Sequence, residues 1–241
     1  MLEINRIYNM DCTEGVKLLE DKSIDLVIID PPYKLSLNSL KKETKFIGYT
    51  NELLHLKDGF DLTILDLLIQ KMKKINIYIY CSKRQVKELL EYFMNKKCNY
   101  EILTWHKMNP SPLMNNNYLP DTEYIIFARE KGVKLQGTYY TKRKYYISGT
   151  NQTDKKKYKH PTIKPLAFIE NHIINSSNEG DLILDCFAGS GTTLVGAINK
   201  NRNFIGFEIN KEYYEIAQAR INEAINSKRQ VSASEKTRME L

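Results

Sequence analysis

Two stretches, far apart in the chain, hold residue types that could do chemistry. The first is IDLVIIDPPYK, residues 24–34, an apolar run that ends in a carboxylate, two prolines and an aromatic ring. Proline fixes φ and lacks an amide N–H, so Asp30, Pro31, Pro32 and Tyr33 form a stiff turn that holds a carboxylate and a ring in place. The second is ILDCFAGSGTTLVGA, residues 183–197. Here a strand ends at Asp185, a glycine turn follows, and a helix begins near Gly191. Gly189 and Gly191 let backbone approach a ligand closely, and a helix N-terminus offers unpaired N–H groups. Downstream, NFIGFEIN supplies another strand ending in Glu208, 17 residues past Gly191. That is near the spacing at which an acid grips ribose hydroxyls in nucleoside-binding sheets. The turn is not the phosphate-binding G-x-G-x-x-G, and no Walker lysine follows. These features favour an adenosine-type cofactor without a pyrophosphate over NAD or ATP.

The elements that must position these residues alternate along the chain. Strands are predicted at 3–8, 24–29, 75–81, 100–105, 123–128, 181–185 and 203–208. The runs IDLVIID, INIYIYC and DLILDC are almost continuously apolar, as in strands covered on both faces. Helices are predicted at 13–20, 62–73, 83–95, 164–176, 191–200 and 210–226, each with apolar residues three or four apart. Strands separated by helices imply an α/β fold: a doubly wound, mostly parallel, Rossmann-like sheet. Three stretches break the rhythm, namely 34–60, the proline- and asparagine-rich 106–120, and 130–160. The end of the chain, 227–241, reads as a flexible charged tail.

Of 241 residues, 42% are hydrophobic and 27% charged, and no run approaches a membrane span. The start of the chain lacks a secretory pattern, so a cytoplasmic location is the default. Cys12, Cys81, Cys98 and Cys186 are widely spaced with no CxxC pair, which argues against a metal site and a disulfide framework. The net charge of +7 favours a polyanionic partner. The stretch from Thr141 to Lys159, TKRKYYISGTNQTDKKKYK, sets cations beside tyrosines, a pattern that suits nucleic acid.

DPPY at 30–33 followed by FAGSG at 187–191 resembles the S-adenosylmethionine-dependent amino-methyltransferases of DNA, in the β-class order with the catalytic motif first. NMDCTEGVKLLEDKSIDLVIIDPPY, WHKMNPSP at 105–112 and KHPTIKPLAFIENHI at 159–173 resemble further segments of that family. The resemblance implies one methyltransferase domain over 1–226, with a catalytic half about 1–128 and a cofactor half about 159–226. A target-recognition insertion is implied at about 129–158, with a further DNA-contacting loop at 34–60. It also implies that S-adenosyl-L-methionine is the cofactor and double-stranded DNA the partner, and that copies pair as a homodimer.

Carried over residue by residue, the resemblance makes Asp30, Pro31, Pro32 and Tyr33 catalytic. The exocyclic amine of adenine is a weak nucleophile, and the Asp30 carboxylate and the Pro31 carbonyl would accept its hydrogens as positive charge develops on nitrogen. Tyr33 would stack on the flipped base. The loop Asp185, Phe187, Ala188, Gly189, Ser190, Gly191, Thr192 would hold the methionine portion, and Glu208 the ribose. Asp11 matches an acidic position near the cofactor adenine, although Asp before a helix also reads as a cap. Thr162 and Lys164 resemble positions near the cofactor carboxylate. Where the family commonly has Asp-Pro-Phe, this chain has Asp185-Cys186-Phe187, which makes that loop less rigid. Lys142, Arg143, Lys144, Lys155, Lys156 and Lys157 are the candidates for DNA contact.

The reading that results is adenine-N6 methylation of duplex DNA. Asp in the first motif position leans toward adenine, since the cytosine-N4 enzymes more often carry Ser there. The alternatives are cytosine-N4 methylation, methylation of RNA or another amine or amide, and a catalytically silent DNA-binding protein of the same fold.

Overall fold

The computed structural model describes residues 2–33, 59–110, 118–150, 152, 157–158 and 163–239, with side chains as far as residue 230. Its strands are β1 (Arg6–Asn9), β2 (Leu26–Ile29), β3 (Asn76–Cys81), β4 (Asn99–Lys107), β5 (Thr122–Arg129), β6 (Tyr145–Ser148), β7 (Leu182–Asp185) and β8 (Asn203–Glu208). Its helices are α1 (Cys12–Lys17), α2 (Thr63–Lys71), α3 (Val86–Asn95), α4 (Leu166–Ser176), α5 (Thr192–Asn199) and α6 (Lys211–Met239).

The strands form one sheet in the order β1-β8-β7-β2-β3-β5-β4-β6. From β1 across to β3 every pairing is parallel; β5 runs antiparallel to both β3 and β4, and β6 is parallel to β4. Helices cover both faces, which is why β2 and β3 are buried at every position and show no polar alternation. The period-two geometry of a strand divides their side chains. Val27, Ile29, Ile77 and Ile79 pack with Val16, Ile64, Leu68, Leu89 and Phe93 of α1 to α3. Leu26, Ile28, Tyr78 and Tyr80 pack with Phe168, Ile169, Leu194, Ala197 and Ile221 of α4 to α6.

Right-handed crossovers explain this division. The connections through α1, α2 and α3 step one way across the sheet; those through α4 and α5 step the other way and so lie on the opposite face. β2 and β7 are neighbours whose following strands lie on opposite sides, so their tips flank a topological switch point, where open α/β sheets bind ligands.

The sequence expectations meet two differences. Within the basic segment, β6 is a strand at the sheet edge; it escaped notice because its residues alternate exposed and half-buried and it is backed by one neighbour only. The C-terminal stretch expected to be a flexible tail from 227 continues α6 to Met239, since SKRQVSASEKTRM holds neither glycine nor proline. Most of the loop 34–60, together with 111–117, Lys155, Lys156 and Thr162, lies outside the described residues. Among the described residues no helix is long and apolar enough to cross a membrane, and no cluster of His, Cys, Asp or Glu could hold a metal ion.

Candidate active site

Parallel strands bring their C-terminal tips to one edge, and that edge carries the motif residues. Asp11 follows β1, Glu208 ends β8, Asp185 ends β7, and Asp30 follows β2. Val27 lies opposite Leu184, so Asp30 and Phe187 leave the sheet side by side although 157 positions apart. Because β5 is antiparallel, it presents its starting residues at this same edge. Glu123, near its N-terminus, therefore joins the site.

Four side chains form a connected cluster. The ammonium of Lys164 lies 2.5 Å from Asp30 Oδ2 and 3.4 Å from Glu123 Oε1. The Tyr33 hydroxyl donates to Glu123 Oε1 at 3.1 Å and accepts from Lys164 Nζ at 3.2 Å. Lys164 also sits 5.4 Å from the ring centroid of Tyr33 and 5.1 Å from that of Tyr80, and Lys107 stands 3.7 Å from Glu123. Below them the Tyr80 hydroxyl meets His172 Nε2 at 3.2 Å, and burial pushes the His172 ring down to about 3, so it is neutral.

Burial lifts the Asp30 carboxyl above its usual range, Lys164 opposes the rise, and Glu123 adds to it. Burial would also lift Glu123, but Lys164 and Lys107 outweigh it and hold that carboxyl low. For Lys164 burial works against the charge, yet Asp30 and Glu123 keep its ammonium above the usual lysine range. Burial, with Asp30 and Glu123 nearby, keeps the Tyr33 phenol protonated. The proline turn is held from the side of β3: Gln85 Nε2 donates to the Pro32 carbonyl at 3.4 Å, while its Oε1 accepts from the Ser82 N–H and hydroxyl.

The glycine turn is built as strand, loop and helix. Gly189 and Gly191 have φ of 51° and 78°, a region that side chains disfavour, and a Cβ on Gly191 would come within 2.9 Å of Ala217 Cβ. Asp185 Oδ1 accepts from the Phe187 N–H at 3.1 Å. Burial pushes the Asp185 carboxyl up to about 7; the Thr193 hydroxyl and the Phe187 N–H work against that rise, and the charges of Asp30 and Glu208 add to it. Glu208 accepts from the Gly189 N–H at 2.7 Å and from the Asn210 N–H at 2.8 Å, so it shapes the turn from the neighbouring strand; burial raises its carboxyl. Asn210 caps α6, accepting from the Tyr213 N–H at 3.1 Å. On the far side the buried Arg220 guanidinium donates to the Ser190 carbonyl and hydroxyl and to the Thr192 hydroxyl, and stacks over Tyr158 at 4.7 Å.

Several residues singled out in the sequence have partners within the protein. Lys164 pairs with Asp30 and Glu123, because buried Ile163 and the start of α4 aim its side chain at the tips of β2 and β5. Asp11 caps α1, accepting from the N–H groups of Thr13 and Glu14, two residues beyond Asn9, which pairs with Glu208 at the site edge. Lys144 pairs with Glu101 at 2.5 Å, and Arg143 lies over the rings of Tyr139 and Tyr140. These residues and Lys142 precede β6 and flank the lower half of β4, short of its C-terminal tip. Lys157 pairs with Glu223 of α6 at 3.0 Å. Glu123, Gln85 and Arg220 escaped sequence reasoning. The one available signal was a charge beside an otherwise apolar strand, as in TEYIIFAR.

A family model described as DNA methylase, of the N6/N4 class, matches residues 24–219. The chain belongs to that family. The methylase is 30% identical to the type II methyltransferase M2.MboI of Moraxella bovis, over 90% of this chain and 87% of the relative. It is 29% identical to M1.MboII of the same organism, over 92% and 98% of the two chains. Among solved structures, the M1.HpyAVI–SAM complex superposes with a TM-score of 0.67 at 29% identity, over 90% of this chain and 98% of that one. The cytosine-N4-specific PvuII methyltransferase shares the fold at a TM-score of 0.67 and 18% identity. The expected α/β class and the expected family are both borne out, and the methylase is a DNA methyltransferase of the N6/N4 class.

Proposed function

We propose that the methylase transfers a methyl group from S-adenosyl-L-methionine to the N6 amine of adenine in duplex DNA. One observation carries this reading: the Asp30 turn and the Gly189 turn leave adjacent parallel strands side by side. The rim they share bears four carboxyl groups, Asp11, Asp30, Asp185 and Glu208. Such a rim repels a pyrophosphate but suits a ligand with ribose hydroxyls, an α-ammonium and a sulfonium. Glu208 and Asp11 would hold the nucleoside, and Asp185 with the turn 187–192 the amino-acid portion. When bound, the cofactor supplies an electrophilic methyl group whose bonding pair departs with sulfur.

The chain's own residues then act on the amine. Asp30 and the Pro31 carbonyl accept its two hydrogens, which favours the tetrahedral nitrogen whose lone pair forms the new N–C bond. The surplus proton on nitrogen leaves through Asp30 to water. Flipping the base out of the duplex costs a few kcal/mol; stacking on Tyr33 returns about 1–3 kcal/mol of that. Tyr33 is suited to this because its hydroxyl is tied to Glu123 and Lys164, which fixes the ring in advance. Asp rather than Ser at position 30 supports adenine over cytosine. The same reading gives Lys142, Arg143, Lys144, Lys155, Lys156 and Lys157 to DNA and pairs two copies as a homodimer. Digesting methylated mixed-sequence duplex DNA to nucleosides and weighing the product tests the base: N6-methyladenine is expected, and N4-methylcytosine would overturn the choice.

A further inference from the structure

Besides tying the Tyr33 hydroxyl, the Lys164–Glu123 pair reaches the Asp30 carboxylate. Lys164 is nine-tenths buried and is the one cation within ion-pair distance of Asp30 among the described residues. The other titratable groups facing Asp30 are acids: Tyr33 on its own turn, Tyr80 and Cys81 of β3, Glu123 of β5 and Asp185 of β7. Tyr33, Tyr80 and Cys81 hold their protons and are neutral, so among these groups only the carboxyls bear charge. A buried carboxylate beside a second one tends to take up a proton. A protonated Asp30 loses its charge and turns one acceptor oxygen into a donor, and so loses its use to an amine that must become positive.

We propose that Lys164, anchored on Glu123, is a positioning residue that keeps Asp30 ionised and pins its Oδ2, so that Oδ1 is the oxygen offered to the substrate amine. The inference rests on the reading of Asp30 as the amine's acceptor. Glu123 holds Lys164 from β5, and Lys107 behind Glu123 balances the second carboxylate, so two anions and two cations alternate across the tips of β2, β5 and β4. The antiparallel β5 thereby has a task that a parallel strand at its place would perform with a different end.

Single-turnover methyl transfer as a function of pH tests the pair, since it reads the chemical step apart from product release. Lys164→Met is expected to slow transfer at least about a hundredfold at pH 7 and to move the acid limb of the profile up by a unit or more, activity recovering about tenfold per pH unit as Asp30 ionises. Glu123→Gln removes a like charge while keeping an acceptor for Tyr33, and its acid limb is expected to move down. In both variants the affinity for S-adenosyl-L-methionine is expected to stay within about twofold, since the proposed role of the pair is toward Asp30. An unmoved limb in both variants, or a loss of cofactor affinity in Lys164→Met with its limb unmoved, would overturn the proposal. If Lys164→Met does not fold, Glu123→Gln decides by itself: a downward limb supports the pair, an unmoved one refutes it. Asp30→Asn run alongside separates the two readings. Retained activity there counts against Asp30 as acceptor, whereas loss there with unmoved limbs in the other variants counts against this inference only.

Discussion

Asp185 gives the cofactor turn a measurable dependence on pH. Its carboxyl is pushed from 3.8 to about 7 by burial. At about 1.4 kcal/mol per unit, ionised Asp185 costs the fold about 4 kcal/mol. The sign follows from proton counting. Between about pH 4 and 7 the folded protein keeps a proton that the unfolded chain has lost, so stability falls as pH rises; above 7 the cost is fully present. Asp185→Asn keeps an acceptor for the Phe187 N–H and removes the cost. Its gain over the parent should grow from about 1–2 kcal/mol at pH 5 to about 4 kcal/mol at pH 8. For a chain of this size the difference amounts to about 5–10 °C in Tm. Urea denaturation of both proteins at pH 5, 6, 7 and 8 reads this directly. The proposed role of Asp185 adds a second limb: if it must ionise to hold the α-ammonium, parental affinity for S-adenosyl-L-methionine falls up to tenfold per pH unit below 7, while the asparagine variant binds weakly and evenly. Parallel stability curves from pH 5 to 8 would refute the buried-acid argument.

Three further outcomes follow from named contacts. Gly191→Ala forces a side chain to φ 78° and a Cβ within 2.9 Å of Ala217, and should cost about 1–3 kcal/mol in denaturant titrations. Arg220→Met removes the donors to Ser190 and Thr192 and should weaken cofactor binding about tenfold by calorimetry; unchanged affinity would mean the turn holds itself. Replacing Lys142 and Arg143 together by Gln should flatten the plot of log affinity for duplex DNA against log salt by about two units if both meet phosphates; an unchanged slope would remove that face from the DNA-binding surface.

How much of this was legible in the sequence depends on what each residue is asked to do. The strands covered on both sides were the most readable, because burial on two faces leaves runs such as IDLVIID and INIYIYC with no alternation. β6 was not: an edge strand with one neighbour can carry TKRKYYIS and still pair. Asp30 and Gly189 announce themselves by their prolines and glycines, which backbone geometry demands. Glu123 announces nothing, since its meaning comes from β5 running backwards beside β3, a property of topology and not of TEYIIFAR itself. Lys164 was visible in the HPTIKP stretch, but its partner was not; the 41 positions between Lys164 and Glu123 close only when the sheet forms. Asp11 remains what its position before a helix made it, a cap, and its place two residues beyond Asn9, the partner of Glu208, supports the second role proposed for it.

The central claim is that Asp30 meets the substrate amine where the glycine turn presents the methyl donor. Its most direct test is transfer of labelled methyl groups from S-adenosyl-L-methionine to mixed-sequence duplex DNA by the parent and by Asp30→Ala, with cofactor affinity measured on the same preparations. The variant is expected to bind the cofactor within a few-fold of the parent and to lose about a hundredfold or more in incorporation. Equal incorporation by the two proteins would contradict it.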